Sequence, residues 1–357
     1  MPYFAVTTAA RRYEAIVEHG ALARLPDFIP PRANKIFVVS TRDVWELHGA
    51  AFRKAIGDRS FQTLFFAGGE QNKRISKVEE MAEQMVAGGA DRASLVIGFG
   101  GGIVTDLAGF LAAIFMRGVD FISIPTTLLA QVDAGVGGKT GANLISGKNL
   151  IGCFHQPLVV LADPSLLVTL SDREYRAGLF EVLKCGVIAS EPLFHLMTNS
   201  VNSVKLREPG TVEELIAASV GIKCDVVSAD EKEGGLRKIL NYGHTVGHAI
   251  ESATGYRRFL HGEAVALGMK AAAWLAGLAG VATAQVCRTI VNAVELYDPI
   301  PSAADLDPDD LLARLAHDKK TLHGSVHFVL ASAIGTTEVV KGLEPALVRE
   351  AIAKAIR

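Results

Sequence analysis

The feature that most constrains this chain is a short apolar run, residues 95–99, that passes directly into Gly100-Gly101-Gly102. An apolar strand ending in consecutive glycines and followed by helical periodicity reads as a strand-to-helix turn of an α/β sheet. Its surroundings agree. Residues 36–40 (IFVVS) and 61–66 (FQTLFF) are strand-like, and residues 41–56 between them have helical character. Ile75, Val78, Met81, Ala82 and Met85 then recur at helical spacing before Gly88-Gly89. Residues 121–124 form another apolar run, stopped by Pro125. This β-α-β-α-β order predicts a parallel sheet with helices on its faces.

The texture changes after Ser171. Helical patterns dominate at residues 173–188, 211–227, 244–254 and 263–279, with little proline inside them. A length of 357 residues suits two domains at roughly 150 residues each. A boundary near residues 168–173 divides an α/β domain (1–171) from a mainly α-helical domain (172–357). The glycine-rich stretch 135–148, with two lysines, reads as a loop whose backbone approaches a ligand.

Lys plus Arg number 36 against 38 Asp plus Glu, a net charge of −2, which argues against a nucleic-acid partner. Apolar residues at 49% and charged residues at 21% exclude global disorder. Cys153, Cys185, Cys224 and Cys287 contain no CxxC pair, so neither a disulfide scaffold nor a thiolate zinc site is expected. The N-terminus lacks the order of a signal peptide. The longest uncharged stretch, 271–287, is rich in Ala and Gly and reads as a buried helix rather than a membrane span. A cytoplasmic enzyme is the expected class.

Five groups of residues carry chemistry. In GGGIVTD (100–106), glycines at a helix N-terminus let backbone N–H groups approach a pyrophosphate, or simply make a tight turn. Gly68-Gly69-Glu70 with Lys73 has the same ambiguity. Pro125-Thr126-Thr127 through Asp133 places two hydroxyls beyond a strand's carboxyl end, as ligand contacts, a helix cap or both. Gly137-Gly138-Lys139-Thr140 fails the spacing of a P-loop, yet Lys139 and Lys148 suit a phosphate or carboxylate. His244 and His248 lie four apart on one helix face, followed by His261 and preceded by Glu181. Three of these four could hold a divalent ion with open positions. Lys223, Arg237 and Asp318-Lys319-Lys320, joined by Arg117, could form a pocket for a substrate with several negative charges.

The segments GGGIVTDLAGF (100–110), 116–157 (MRGVDF through FHQP), LNYGHTVGHAIE (240–251) and HGEAVALGM (261–269) resemble the sugar phosphate cyclases, most closely the 3-dehydroquinate synthase family. The resemblance runs in order from about Val38 to the DKK segment. It implies an NAD-binding α/β domain, a helical metal-binding domain, an active site in a cleft between them and a homodimer. It implies Zn2+ or Co2+ on Glu181, His244 and His261, with His248 turned to the substrate. Substrate contacts would come from Asp133, Lys139, Asn149, Lys184, Lys223, Arg237, Asn241 and His248. Arg117 and Lys319 or Lys320 would bind phosphate. NAD contacts would come from Asp43, Glu70, Lys73, Gly101, Gly102, Asp106, Thr126, Thr127, Leu129, Lys148, Thr169, Leu170 and Glu174.

The implied substrate is 3-deoxy-D-arabino-heptulosonate 7-phosphate, whose carboxylate and phosphate require many cations. The implied reaction is transient oxidation, phosphate elimination, reduction and aldol closure to 3-dehydroquinate. Thr105, Thr41 and Ala134-Gly135 depart from the family pattern and bear on cofactor affinity. A metal-dependent polyol dehydrogenase would not need the cation cluster. A cyclase acting on a substrate without a carboxylate tends to differ around Asn241 and His248. A catalytically dead sensor would have lost a ligand or key lysine.

Overall fold

The computed structural model describes residues 3–145, 147–316 and 326–357. The chain folds as two units, each with its own interior. The first comprises residues 1–171 with 223–232, and the second comprises 172–222 with 233–357.

The first unit contains β1 (Tyr3–Thr7), β2 (Arg12–Val17), β3 (Ile36–Ser40), α1 (Arg42–Ile56), β4 (Gln62–Phe65) and α2 (Ile75–Ala87). It continues with β5 (Leu95–Gly100), α3 (Gly102–Ile114), β6 (Asp120–Pro125), β7 (Lys139–Leu144), β8 (Gly147–Phe154) and β9 (Val159–Ala162). Seven strands form one sheet in the order β1-β2-β9-β6-β5-β3-β4. All neighbours pair in parallel except β1, which lies antiparallel on the edge. The parallel α/β expectation is therefore met.

The alternation of side chains explains why both faces are covered. Phe37 and Val39 enter the core under α2 and α3, whereas Ile36 and Val38 enter the opposite core with Phe52 and Ile56 of α1. From β3 the chain goes one way to β4, then returns past β3 to β5, β6 and β9. The strand order thus reverses between β3 and β5, and ligands of open α/β sheets sit beyond the carboxyl ends at such a point. The glycine turn after β5 is there.

Two expectations need correction. The 135–148 stretch is not an open loop: β7 and β8 form an antiparallel hairpin. Its glycines permit close strand approach, since a Cβ on Gly152 would stand 2.1 Å from the Thr140 carbonyl oxygen. Residues 271–287 are not one helix either, because a turn at Ala279–Thr283 separates two helices. No helix among the described residues is long and apolar enough to cross a membrane.

The second unit contains α4 (Asp172–Ala189), α5 (Glu191–Asn199), α6 (Val201–Lys205) and the first part of α7 (Pro209–Ala229). After residue 232 come α8 (His244–Ala253), α9 (His261–Leu278), α10 (Ala284–Glu295), α11 (Pro308–Ala316) and α12 (Pro345–Ala355). The hairpin β10 (His327–Ala333) and β11 (Thr336–Lys341) interrupts the helices. The unit is mainly helical, as expected, with this hairpin the feature the helical periodicity did not reveal.

Candidate active site

In the second unit, α4, α8 and α9 each bring one donor to a common point. Glu181 Oε1 lies 3.8 Å from His244 Nε2 and 3.7 Å from His261 Nε2. Two bonds of roughly 2.1 Å to one ion can span up to about 4 Å. Glu181 is fully buried, and among the described residues its Oε1 has no hydrogen-bond partner. Oε2 faces the ammonium of buried Lys184, three residues on, in an ion pair. A buried carboxylate oxygen with no donor is costly, and a divalent ion shared with the two histidines would offset that cost.

The imidazoles are oriented from behind. His244 Nδ1 lies 3.1 Å from the Tyr242 carbonyl, which can only accept, so the proton sits on Nδ1 and Nε2 keeps its lone pair. His261 Nδ1 lies 3.4 Å from Glu251 Oε2, with the same consequence. His248 stands with its ring centroid 5.5 Å from that of His244 and 6.0 Å from that of His261. His248, Glu251 and His261 also form a possible donor group. The contact of Glu251 with His261 Nδ1 favours an orienting role for that carboxylate. Glu251→Gln is expected to weaken divalent-metal affinity about 10- to 100-fold, read by competition against a chromogenic chelator. Unchanged affinity would remove Glu251 from that role.

The helices reach these distances because small residues let backbones touch. A Cβ on Gly262 would fall 1.8 Å from the Ala177 carbonyl oxygen of α4. One on Gly268 would fall 1.8 Å from the Gly243 carbonyl at the start of α8. Arg173 then clamps α4 to the start of α9, donating to both oxygens of Glu263 at 2.7 and 2.8 Å. Glu263 also accepts the Leu260 N–H at 2.8 Å, fixing the turn that delivers His261. Burial and the Glu263 charge push the Glu174 carboxyl up, while Arg173 opposes them. Arg237 is buried, and the Asn241 amide donates to Glu233 Oε1.

In the first unit, Gly101 is the N-cap of α3 and, having no side chain, makes no capping bond. The N-cap residue therefore takes none of the first N–H groups, which fits a pyrophosphate. The Thr105 hydroxyl turns inward to the Gly102 carbonyl at 3.0 Å. Thr127 Oγ1 accepts the Ala130 N–H at 3.2 Å, so the cap reading holds for this residue. Lys73 is buried, pairs with Asp106 and donates to Asn149 Oδ1 at 2.6 Å. Burial raises the Asp106 carboxyl and the Lys73 ammonium pulls it back. Lys148 Nζ lies 3.7 Å from Glu70 Oε2. Lys223 Nζ donates to the Asp133 carboxylate and carbonyl.

Thr169 Oγ1 lies 2.8 Å from His48 Nε2, and burial lowers the His48 pKa against the charge of Asp163. Lys139 and Asp43 are exposed, and Leu129 and Leu170 are half-buried. Arg117 is exposed in a left-handed conformation (φ 70°), between Met116 (φ 47°) and Gly118 (φ 120°). Such conformations at non-glycine residues cost of order 1–3 kcal/mol each and gather at functional sites. Lys319 and Lys320 lie outside the described residues. Residue spacing did not single out Asn143, His48, Arg173, Glu233, Glu251 or Glu263. Glu251, three residues after His248, and Glu263, two after His261, carried a local signal.

Comparison with known proteins identifies the family. Residues 63–177 match the model of the 3-dehydroquinate synthase N-terminal family, and residues 178–321 match the C-terminal one. The 3-dehydroquinate synthase of Solibacter usitatus (strain Ellin6076) is 53% identical over 356 residues, covering 100% of both chains. A solved 2-deoxy-scyllo-inosose synthase, complexed with carbaglucose-6-phosphate, NAD+ and Co2+, superposes with a TM-score of 0.88 at 28% identity, covering 99% of each chain. The 2-epi-5-epi-valiolone synthase of Streptomyces hygroscopicus subsp. jinggangensis 5008, with NAD+ and Zn2+ bound, gives 0.86 at 28% identity and 98% coverage of each chain. Because both family models match in tandem and a relative of that name aligns end to end, the chain belongs to the 3-dehydroquinate synthase family.

Proposed function

We propose that this chain converts 3-deoxy-D-arabino-heptulosonate 7-phosphate to 3-dehydroquinate and inorganic phosphate, a lyase step of the shikimate pathway toward aromatic amino acids. The observation that carries this reading is the end-to-end 53% identity with a 3-dehydroquinate synthase. The intact donor group of Glu181, His244 and His261 supports it. NAD+ and one Zn2+ or Co2+ are the cofactors, in keeping with those bound by the cyclase neighbours.

Residues 1–171 form the NAD-binding domain and residues 172–357 the metal- and substrate-binding domain. When bound, NAD+ would supply reversible hydride acceptance and the divalent ion would supply polarisation of a substrate oxygen. Glu181, His244 and His261 hold that ion. His248 takes the alcohol proton and relays it to water. Lys139, Lys184, Lys223, Arg237, Asp133, Asn149 and Asn241 orient the carboxylate and hydroxyls, and Arg117 with Lys319 or Lys320 holds the phosphate. NAD+ is held by Asp43, Glu70, Lys73, Gly101, Gly102, Asp106, Thr126, Thr127, Leu129, Lys148, Thr169, Leu170 and Glu174. The protein acts as a cytoplasmic homodimer.

The test is a product assay with the heptulosonate phosphate, catalytic NAD+ and Zn2+ or Co2+. Phosphate and dehydroquinate appear in equal amounts, with no net NADH. Turnover of heptulose 7-phosphate instead, with neither product from the acid, would assign another cyclase reaction. His248→Ala is expected to lower turnover about 10²- to 10⁴-fold with metal content retained. Loss of all metal with normal substrate binding would contradict the relay role.

A further inference from the structure

Asn143, on β7, is buried and belongs to none of the residue sets assigned above. Its polar groups nevertheless join several of them. The backbone N–H donates to the Lys73 carbonyl at 2.6 Å. Side-chain Nδ2 donates to the Glu70 carbonyl at 3.1 Å and to Glu70 Oε1 at 2.7 Å. Oδ1 accepts the Asn149 N–H at 2.8 Å. The amide orientation follows from its neighbours. A main-chain N–H can only donate and the Glu70 oxygens can only accept, so a flipped amide would oppose like groups at both ends.

Each end has a consequence. Asn149 sits in the left-handed region (φ 50°), which asparagine tolerates better than most residues, and the bond from its N–H helps to hold it there. Asn149 Oδ1 accepts from Lys73 Nζ, which fixes the sense of the Asn149 amide. At the other end, the Nδ2 bond sets the rotamer of Glu70, whose second oxygen faces Lys148.

We propose that Asn143 is a positioning residue that sets Glu70 for NAD+ and Asn149 for the sugar phosphate through opposite ends of one amide. This rests on the assignment of Glu70 and Asn149 given under the proposed function.

Asn143→Asp separates the two ends. It is nearly isosteric, keeps the acceptor for the Asn149 N–H, and replaces the donor toward Glu70 with a carboxylate. The charged groups around the position are Glu70 and Lys148 on one side, and Lys73 with Asp106 on the other. Arg74 pairs with Asn143 through the backbone, and Asp133 acts electrostatically on Asp106. At pH 8 two ionised carboxylates repel. At lower pH the introduced Asp carboxyl, crowded by a neighbouring carboxylate, takes up a proton and a donor is restored, so affinity recovers as pH falls.

NAD+ binding is measured by titration of the full-length protein, with the wild type at each pH as reference and circular dichroism as a check on folding. Asn143→Asp is expected to raise the NAD+ Kd about 10- to 100-fold at pH 8, with at least about fivefold recovery by pH 6. KM for the heptulosonate phosphate stays within about threefold, because the Asn149 end is retained. Asn143→Ala raises both constants and shows no recovery. Wild-type NAD+ affinity in Asn143→Asp at pH 8 overturns the proposal, as does an equal, pH-independent rise of both constants. Wild-type protein that binds no NAD+ overturns the reading of Glu70, and this proposal with it.

Discussion

Glu181→Gln is expected to be isolated without its metal and with turnover lowered at least about a thousandfold. The substitution removes the one anionic donor among Glu181, His244 and His261. It also breaks the buried ion pair with Lys184. Breaking a buried pair from one side costs about 3–5 kcal/mol, so the melting temperature of the helical unit falls as well. Metal content by mass spectrometry and phosphate release read the first effect. Binding of NAD+, assigned mainly to residues outside that unit, separates it from global unfolding. A variant that keeps full metal and full turnover would show that Glu181 is no ligand.

Gly262→Ala is expected to destabilise the helical unit by at least about 3 kcal/mol, lowering Tm by roughly 6–12 °C and weakening metal binding with it. The added methyl would stand 1.8 Å from the Ala177 carbonyl oxygen and 2.6 Å from its carbonyl carbon. Both are backbone atoms in the middle of α4, so no side chain can swing aside. The contact lies one residue from His261 and four from Glu181, and relief by sliding α9 separates these two donors. Calorimetry and chelator competition test this together. An unchanged Tm with wild-type metal affinity would mean that α9 does not approach α4 this closely.

The two effects share a cause that was only half legible in the sequence. The pattern LFEVLKCGV around Glu181 and Lys184 puts two opposite charges three apart in an apolar run. That spacing signals a buried pair. The tight helix contacts behind it had no such signal, because Gly262 and Gly268 read locally only as weak helix formers.

The sheet was legible where strands were apolar runs with a clear end signal, as in β5 and β6 with their glycine and proline, or rich in β-branched residues, as in β3. It was not legible at β1, β2 and β9. β9 has four residues, and β2 alternates only in its first half. The β7–β8 hairpin was hidden by its glycines, whose use is close backbone approach rather than a turn.

The sequence by itself determined the class of fold and the chemical types at hand. Periodicity and strand-to-helix turns are local properties, and two histidines four apart share a helix face wherever that helix packs. Only the tertiary structure decided which atoms meet. The Nδ2 of Asn143 reaches Glu70 across 73 positions, and Arg173 reaches Glu263 across 90. No spacing rule carries such pairings, because they are set by the packing of whole helices and strands, and the hydrogen bonds form only once that packing has brought their partners within about 3 Å.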